Sequence, residues 1–142
     1  MNLFVKLKEL KLLLIDDDEW IRDSMRLFFE SEGCDLVTLE TAEEALELIG
    51  KQPFDIIIAD FRLPGMDGIE LFKRIQGSCR STLKILITAY MNEKVVSAAK
   101  KVGIHDMIEK PFKTENIEES LSKLLTRISC KEANHAGKKL DE

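Results

Sequence analysis

Short apolar segments alternate with longer segments of mixed polarity along this chain. The apolar segments are strand-sized and rich in Leu, Ile and Val, and they lie at residues 12–15, 36–39, 56–59, 85–87 and 107–108. The segments that begin at Leu12, Ile56 and Ile85 are apolar without alternation. This pattern is typical of strands that are covered on both faces, as in a parallel sheet.

The longer segments show the periodicity of amphipathic helices. Apolar residues recur in them every three or four positions, which places these residues on one face of a helix. The five apolar stripes begin at Ile21, Ala42, Ile69, Val95 and Ile117. Residues that commonly begin or end helices stand at the edges of the stripes: Thr41, Glu44, Asp67 and Asn92 at the starts, and Gly33 and Gly103 at the ends.

Strand and helix signals therefore alternate five times in chain order. This order predicts one α/β domain, with a doubly wound five-stranded parallel sheet, right-handed crossovers and helices on both faces. We assign residues 11–127 to this domain, residues 1–10 to a short N-terminal leader, and residues 128–142 to a polar C-terminal tail or the start of a linker.

The composition narrows the classes of function. Of the 142 residues, 44% are apolar, which is enough for a core, and the formal net charge of −5 disfavours nucleic-acid binding through a broad basic face. No apolar run approaches the ~20 residues that cross a bilayer, and the lysines interleaved with the first apolar residues argue against a signal peptide. Three cysteines, an odd number, favour a reduced cytoplasmic chain with incidental thiols.

Polar side chains that can carry chemistry follow four of the predicted strands. Asp16 and Asp17 follow the first strand, Asp60 follows the third, Thr88 the fourth, and Lys110 the fifth. In a parallel α/β sheet the carboxyl ends of all strands lie at one edge, and ligands bind there. We therefore expect these side chains to line one pocket.

Each of these residues taken alone has an ordinary structural explanation. An acid after a strand often only caps the next helix, and this remains our interpretation of Asp18. Together, however, Asp16, Asp17 and Asp60 would repel one another when buried, and a divalent cation would offset that repulsion. Because the three aspartates provide only oxygen ligands, the expected ion is Mg²⁺. Beside a hydroxyl and an ammonium group, a central carboxylate could act as a nucleophile and form an acyl phosphate.

Four stretches of the sequence resemble the receiver domains of two-component response regulators. They are LLLIDDDEW, FDIIIADFRLPGMDGIELFKRI, ILITAY and EKPF, in the order and at the intervals typical of that family. The resemblance runs from about Lys11 to about Arg127. It implies a flavodoxin-like (βα)5 fold with strand order 2-1-3-4-5.

The resemblance also implies roles at a metal site. Asp60 matches the phosphoacceptor, and Asp16 and Asp17 match the acidic pair, with Asp17 a direct ligand of Mg²⁺ and Asp16 acting mainly through water. The backbone carbonyl of Arg62 matches a further protein ligand, and the Asp60 carboxylate completes the set.

Other residues match the groups that sense the phosphoryl group. Thr88 matches the switch hydroxyl, and Lys110 matches the family's lysine, which precedes Pro111 through a cis peptide bond. Met107 stands where the family usually has an aromatic residue that pairs with the hydroxyl during switching. Methionine offers no hydroxyl group and has a flexible side chain, so we expect a shallower switch.

The implied function is that of a phosphorelay receiver rather than an enzyme acting on external substrates. The domain would accept a phosphoryl group from a sensor histidine kinase or a histidine phosphotransfer protein. It would then control a downstream protein, still unknown, through the face formed by the fourth predicted helix, the fifth strand and the fifth helix. We expect a cytoplasmic protein that binds neither nucleic acid nor membrane directly, and a phosphorylation-dependent homodimer is one form of output to test.

Other interpretations stay open at this point. The acids after the first strand could belong to a phosphatase of the haloacid-dehalogenase type, although Trp20 stands where that pattern needs Thr or Val. The chain could be an inert receiver-like interaction domain, or a flavin-binding domain that lacks the usual Ser/Thr/Gly-rich phosphate loop. It could also be the N-terminal receiver fragment of a longer transcriptional regulator.

Overall fold

The predicted strands form one parallel sheet. The structure, a computed structural model, describes residues 2–79 and 81–126 of the chain. Its strands are β1 (Leu12–Ile15), β2 (Leu36–Leu39), β3 (Ile56–Asp60), β4 (Leu83–Thr88) and β5 (Asp106–Glu109). They are arranged in the order β2-β1-β3-β4-β5, and every neighbouring pair is parallel. This arrangement confirms the flavodoxin-like topology expected from the sequence.

Helices flank the sheet on both faces. They are α1 (Leu3–Leu7), α2 (Glu19–Ser31), α3 (Ala42–Ile49), α4 (Gly68–Ile75) and α5 (Glu93–Lys101), followed by α6, which covers residues 114–126. None of the helices in the described ranges has the length and apolar character needed to span a bilayer.

Local capping interactions fix where four of these helices begin. The side chains of Asp18, Thr41, Asp67 and Asn92 accept hydrogen bonds from backbone N–H groups in the first turns of α2, α3, α4 and α5. Thr41 forms a complete capping box with Glu44. These bonds satisfy N–H groups that have no partner within the helix, and they confirm the starts predicted from the sequence.

The sheet has a hydrophobic core on each face, because successive residues of a strand point to opposite sides. Leu12 and Leu14 of β1 belong to the core beneath α1, α2 and α6, whereas Leu13 and Ile15 belong to the core beneath α3, α4 and α5. All residues of β1, β3 and β4 are buried. Both layers hold the carboxyl ends of these central strands in fixed positions.

The N-terminal leader predicted at residues 1–10 contains helix α1, which the sequence analysis does not predict. Leu7 of this helix is fully buried, and the ring of Phe4 packs edge-to-face on that of Phe28 with 5.7 Å between centroids. The Cys34 thiol donates to the carbonyl oxygen of Phe4 at 3.7 Å. The leader is therefore packed on the core. The tail predicted at 128–142 lies outside the described residues.

Candidate functional site

Acidic, hydroxyl and basic side chains from separate strands meet at one edge of the sheet. Asp16 follows β1, Asp60 ends β3, Thr88 ends β4, and Lys110 follows β5. Asp60 is paired with Ile87 across β3 and β4, so Thr88 lies one step beyond Asp60 on the neighbouring strand. This is the edge at which open α/β sheets bind their ligands.

Three carboxylates form an acidic cluster at this edge. Oxygen atoms of Asp16, Asp17 and Asp60 all lie within 4.8 Å of one another. Asp16 is fully buried and Asp60 is 5% exposed, whereas Asp17 is exposed. The structure thus brings together the three acids that the sequence analysis groups at one site.

Lys110 places one ammonium group between two of these carboxylates. Its Nζ lies 2.9 Å from Oδ2 of Asp60 and 3.1 Å from Oδ2 of Asp16. The contact with Asp60 has hydrogen-bond geometry, whereas the buried Oδ2 of Asp16 accepts no hydrogen bond. One ammonium group therefore forms ion pairs with two buried carboxylates, and only the contact with Asp60 has hydrogen-bond geometry.

Burial raises the pKa of both buried acids. It is the largest effect on Asp16 and on Asp60; repulsion from Asp60 adds to it at Asp16, and repulsion from Asp17 adds to it at Asp60. Burial opposes the charge of Lys110, but its hydrogen bond to Asp60 and its attraction to both carboxylates outweigh burial and raise its pKa. The pKa values of Asp16, Asp60 and Lys110 are all raised, because the cluster has more carboxylates than ammonium groups. The excess negative charge would attract a cation.

The loop after β1 is held by hydrogen bonds between its own side chains and its own backbone. The N–H of Asp18 donates to Oδ1 of Asp16 at 2.9 Å, and Oδ1 of Asp18 accepts from the N–H of Trp20 at 2.9 Å. Asp18 is therefore the N-cap of α2, as the sequence analysis predicts.

The loop after β3 depends on two contacts that the sequence analysis did not identify. A Cβ atom on Gly68 would collide with the backbone carbonyl oxygen of Asp60, so only glycine lets α4 begin this close to the end of β3. Glu43 of α3 accepts a hydrogen bond from the N–H of Met66 at 3.0 Å, and this bond holds the pKa of Glu43 below its usual range. Glu43 and Met66 are 23 positions apart, and the close approach of Gly68 to Asp60 depends on how α4 packs after β3, so no local pattern reveals either contact.

Residues after β3 and β4 contact each other beside Asp60. The guanidinium carbon of Arg62 lies 4.5 Å from the centroid of the Tyr90 ring, a cation–π contact. Thr88 is fully buried, and its Oγ1 accepts the N–H of Tyr90 at 2.8 Å.

The last two residues singled out by the sequence lie on or next to β5. The Lys110–Pro111 peptide bond is cis, as the resemblance implies. Met107 is paired with Leu86 of β4, and it packs partly buried against the core beneath α3, α4 and α5. It therefore fills an apolar position next to the strand that carries Thr88.

Comparison with known proteins identifies the class. Residues 12–122 match the family model described as the response regulator receiver domain. The chain therefore belongs to this family of signalling phosphoacceptors, rather than to the haloacid-dehalogenase-type phosphatases or the flavin-binding proteins that the sequence left open.

Individual relatives agree with this assignment. The chain is 30% identical over 115 residues to sporulation initiation phosphotransferase F of Bacillus subtilis (strain 168), covering 81% of this chain and 93% of that protein. It is 31% identical over 104 residues to the transcriptional regulatory protein FixJ of Bradyrhizobium diazoefficiens, covering 73% of this chain and 51% of that protein. A crystal structure of a CheY-like receiver domain protein from Methanospirillum hungatei JF-1 superposes with a TM-score of 0.74 at 29% identity, covering 82% of this chain and 97% of that one.

The acidic cluster fits the metal that receiver domains generally bind. Mg²⁺ prefers oxygen ligands in octahedral geometry and keeps several waters. The cluster supplies closely spaced carboxylate oxygens, and Oδ2 of Asp16 is buried with no bond of hydrogen-bond geometry from the described residues, its one neighbouring cation being Lys110 at 3.1 Å. The exposed Asp17 leaves the cluster open to solvent, so bound water can complete the coordination.

Proposed function

We propose that this receiver domain accepts a phosphoryl group on Asp60 from the phosphohistidine of a sensor histidine kinase or a histidine phosphotransfer protein. The observation that carries the proposal is the position of Asp60, which lies within 4.8 Å of Asp16 and Asp17 and is hydrogen bonded to Lys110. An inert interaction domain has no need of three mutually repelling carboxylates around one ammonium group, since that arrangement destabilises the fold.

Four residues would hold Mg²⁺ in this proposal: Asp17 and Asp60 through their carboxylates, Arg62 through its backbone carbonyl, and Asp16 mainly through water. When bound, the ion supplies positive charge that offsets the carboxylates and attracts phosphoryl oxygens.

Asp60 is the nucleophile of the proposed reaction. Its carboxylate attacks the phosphorus atom, a P–O bond forms, the P–N bond to the donor imidazole breaks, and the electron pair of that bond stays on the imidazole nitrogen. The Lys110 ammonium group already lies 2.9 Å from Asp60, and it would pair with a phosphoryl oxygen of the product. The Thr88 hydroxyl accepts the N–H of Tyr90 and donates no hydrogen bond within the described ranges, so its hydrogen is available to a second phosphoryl oxygen.

The output of this reaction would pass through the face formed by α5, β5 and α6. Thr88 ends β4 beside this face, and Met107 lies within it on β5. The target would be a downstream protein, an attached output domain or a second copy of the phosphorylated domain, in the cytoplasm. The name of the Bacillus relative describes a phosphotransferase, which favours onward phosphotransfer as one form of output.

Phosphorylation by a small-molecule donor tests the proposal without knowledge of the kinase. With acetyl phosphate and Mg²⁺, intact-mass spectrometry should show one added phosphoryl group on the wild type and none on Asp60→Asn. Asp67→Asn serves as a matched control, since Asp67 caps α4 and should not affect labelling. Undiminished labelling of Asp60→Asn would overturn the assignment.

A further inference from the structure

Arg22 ties the acidic loop to the neighbouring strand. Its Nη1 donates to the backbone carbonyl oxygen of Asp16 at 2.8 Å, and its Nη2 donates to Oε1 of Glu40 at 3.2 Å. The Arg22 side chain is only 12% exposed, whereas that of Glu40 is 64% exposed. A single guanidinium group therefore links the segment after β1 to the segment after β2.

This contact fixes the backbone on one side of Asp17. The ladder between β1 and β2 ends at Ile15, which is paired with Leu39. Beyond it the N–H of Asp16 donates to the carbonyl oxygen of Leu39 at 3.1 Å. The carbonyl of Asp16 comes after the strand, and Arg22 supplies its donor.

The backbone on the other side of Asp17 is fixed as well. The N–H of Asp18 donates to Oδ1 of Asp16. Among the described residues, none donates a hydrogen bond to the Asp17 carboxylate, and that carboxylate is exposed. The direction of the Asp17 side chain is therefore set by its backbone anchors alone.

We propose that Arg22 is a positioning residue for the metal site: by holding the carbonyl of Asp16, it fixes the peptide that aims the Asp17 carboxylate at the cation. This inference rests on the proposed function, since it assumes that Asp17 is a ligand of Mg²⁺. Arg22 touches neither the cation nor the phosphoryl group in this account, and it acts through the backbone of the acidic pair.

The direction in which Mg²⁺ affinity changes when Arg22 is replaced shows whether Arg22 acts by positioning the loop or by its charge. Arg22 is a cation close to a cation site, so the loss of its charge alone would tighten Mg²⁺ binding. The loss of its hydrogen bond to Asp16 would weaken binding, because the loop would have to be ordered when the metal binds. A weaker affinity in an uncharged variant therefore reports positioning and cannot be produced by the change of charge.

Arg26 provides a matched control on the same helix. It lies four positions further along α2, on the same face as Arg22, and its Nη2 donates to Oγ1 of Thr38 at 2.6 Å. Both arginines thus link α2 to the β2 side of the sheet, but Thr38 lies within β2 and is not part of the acidic loop. Arg26→Gln removes the same charge from the same helix, together with a hydrogen bond to a side-chain hydroxyl group, without freeing the backbone of Asp16.

The experiment is a titration of the full chain with MgCl₂, followed by the amide chemical shifts of Asp17 and Asp60. We expect Arg22→Gln to bind Mg²⁺ about tenfold more weakly than the wild type, the effect of losing one charge-assisted hydrogen bond. Arg26→Gln should stay within about twofold of the wild type, and Arg22→Lys, which keeps the charge and one donor, should recover part of the loss. If Arg22→Gln does not fold, Arg22→Lys carries the test alone: it keeps the charge, so an expected weakening of about threefold relative to the wild type again reports positioning.

The outcomes separate this inference from the function on which it rests. Equal or tighter binding by a folded Arg22→Gln, or by Arg22→Lys when that variant is used alone, overturns the positioning role. Equal weakening by Arg26→Gln overturns it too, because the effect then belongs to the helix as a whole. Failure of the wild type to bind Mg²⁺ overturns the proposed metal site instead.

Discussion

The ammonium nitrogen of Lys110 lies 2.9 Å from Oδ2 of Asp60, although the two residues are 50 positions apart in the chain. The sheet creates this contact, because β3 and β5 flank β4 and all three end at the same edge. The ammonium group pairs with the carboxylate now and would pair with a phosphoryl oxygen after transfer. The same contact would therefore serve both forms of the site.

Neutralising Asp60 should stabilise the metal-free protein. Asp60→Asn removes one of three crowded carboxylates, and Lys110 keeps its contact with Asp16 at 3.1 Å. In the presence of a chelator we expect the melting temperature to rise by about 3–5 °C, equivalent to about 1 kcal/mol. A clear fall in melting temperature would show that repulsion does not dominate this cluster.

The same variant should change how stability depends on pH. The folded-state pKa of Asp60 is raised above its ordinary value of 3.8, chiefly by burial, so the folded protein binds a proton more tightly than the unfolded chain. For such a group, stability falls as pH rises from the unfolded pKa through the folded one. The melting temperatures of the wild type and Asp60→Asn, measured in chelator, should therefore lie closest near pH 4 and diverge toward pH 7. A gap that does not widen with pH would contradict the account.

Metal affinity should distinguish Asp17 from Asp18. Asp17→Ala should bind Mg²⁺ at least tenfold more weakly in a titration monitored by Trp20 fluorescence, because it removes a proposed ligand. Asp18→Ala should mainly lower stability, by about 1 kcal/mol, since it removes the N-cap of α2. Equal losses of affinity in both variants would mean that the roles of these two acids are wrongly assigned.

Switching should depend on the Thr88 hydroxyl. A beryllofluoride mimic of the phosphoryl group should shift amide resonances between residues 90 and 112 in the wild type, reflecting a population shift of about 1–3 kcal/mol. Thr88→Ala should accept a phosphoryl group and lose most of that shift, whereas Met107→Tyr should enlarge it by adding a hydroxyl-bearing ring next to β4. An unchanged spectrum in this segment of the wild type would exclude this face as the output surface.

Helix α1 should contribute to stability. Leu7 is fully buried, whereas Val5 on the same helix is 51% exposed. Leu7→Ala should lower the free energy of unfolding by about 2–5 kcal/mol, as other buried Leu-to-Ala changes do, and Val5→Ala should cost less than about 1 kcal/mol. Chemical denaturation measures both, and a similar small cost for the two variants would show that α1 is not packed as described.

The sequence predicts the parts of this protein that depend on local pattern. The apolar runs of β1 and β3 identify buried strands without any tertiary information, and the order of elements brings Asp16 and Asp60 to one edge. Lys84 shows a limit of this reasoning, since it falls in an apolar run and delays the predicted start of β4. Its ammonium group is buried and donates to the carbonyl oxygens of Cys79 and Thr82, so a charge that suggests solvent exposure belongs to the strand.

Other features need the folded structure because their partners are distant in the chain. Helix α1 has five residues, too few to show helical periodicity. The contact between Arg22 and the carbonyl of Asp16 joins a side chain to a backbone atom, and side-chain identity carries no signal for such a partner. The contact between Glu43 and the backbone of Met66, 23 positions away, is hidden from the sequence for the same reason.

The most direct measurement locates the phosphoryl group chemically. An acyl phosphate is an electrophile that borohydride reduces to an alcohol, so an aspartyl phosphate leaves homoserine at the position that carried it. After treatment with acetyl phosphate and Mg²⁺, reduction and peptide mass spectrometry should find homoserine at position 60 and none at Asp16 or Asp17. Homoserine at either of those acids, or phosphorylated protein without homoserine at position 60, would contradict the claim that Asp60 is the phosphoacceptor.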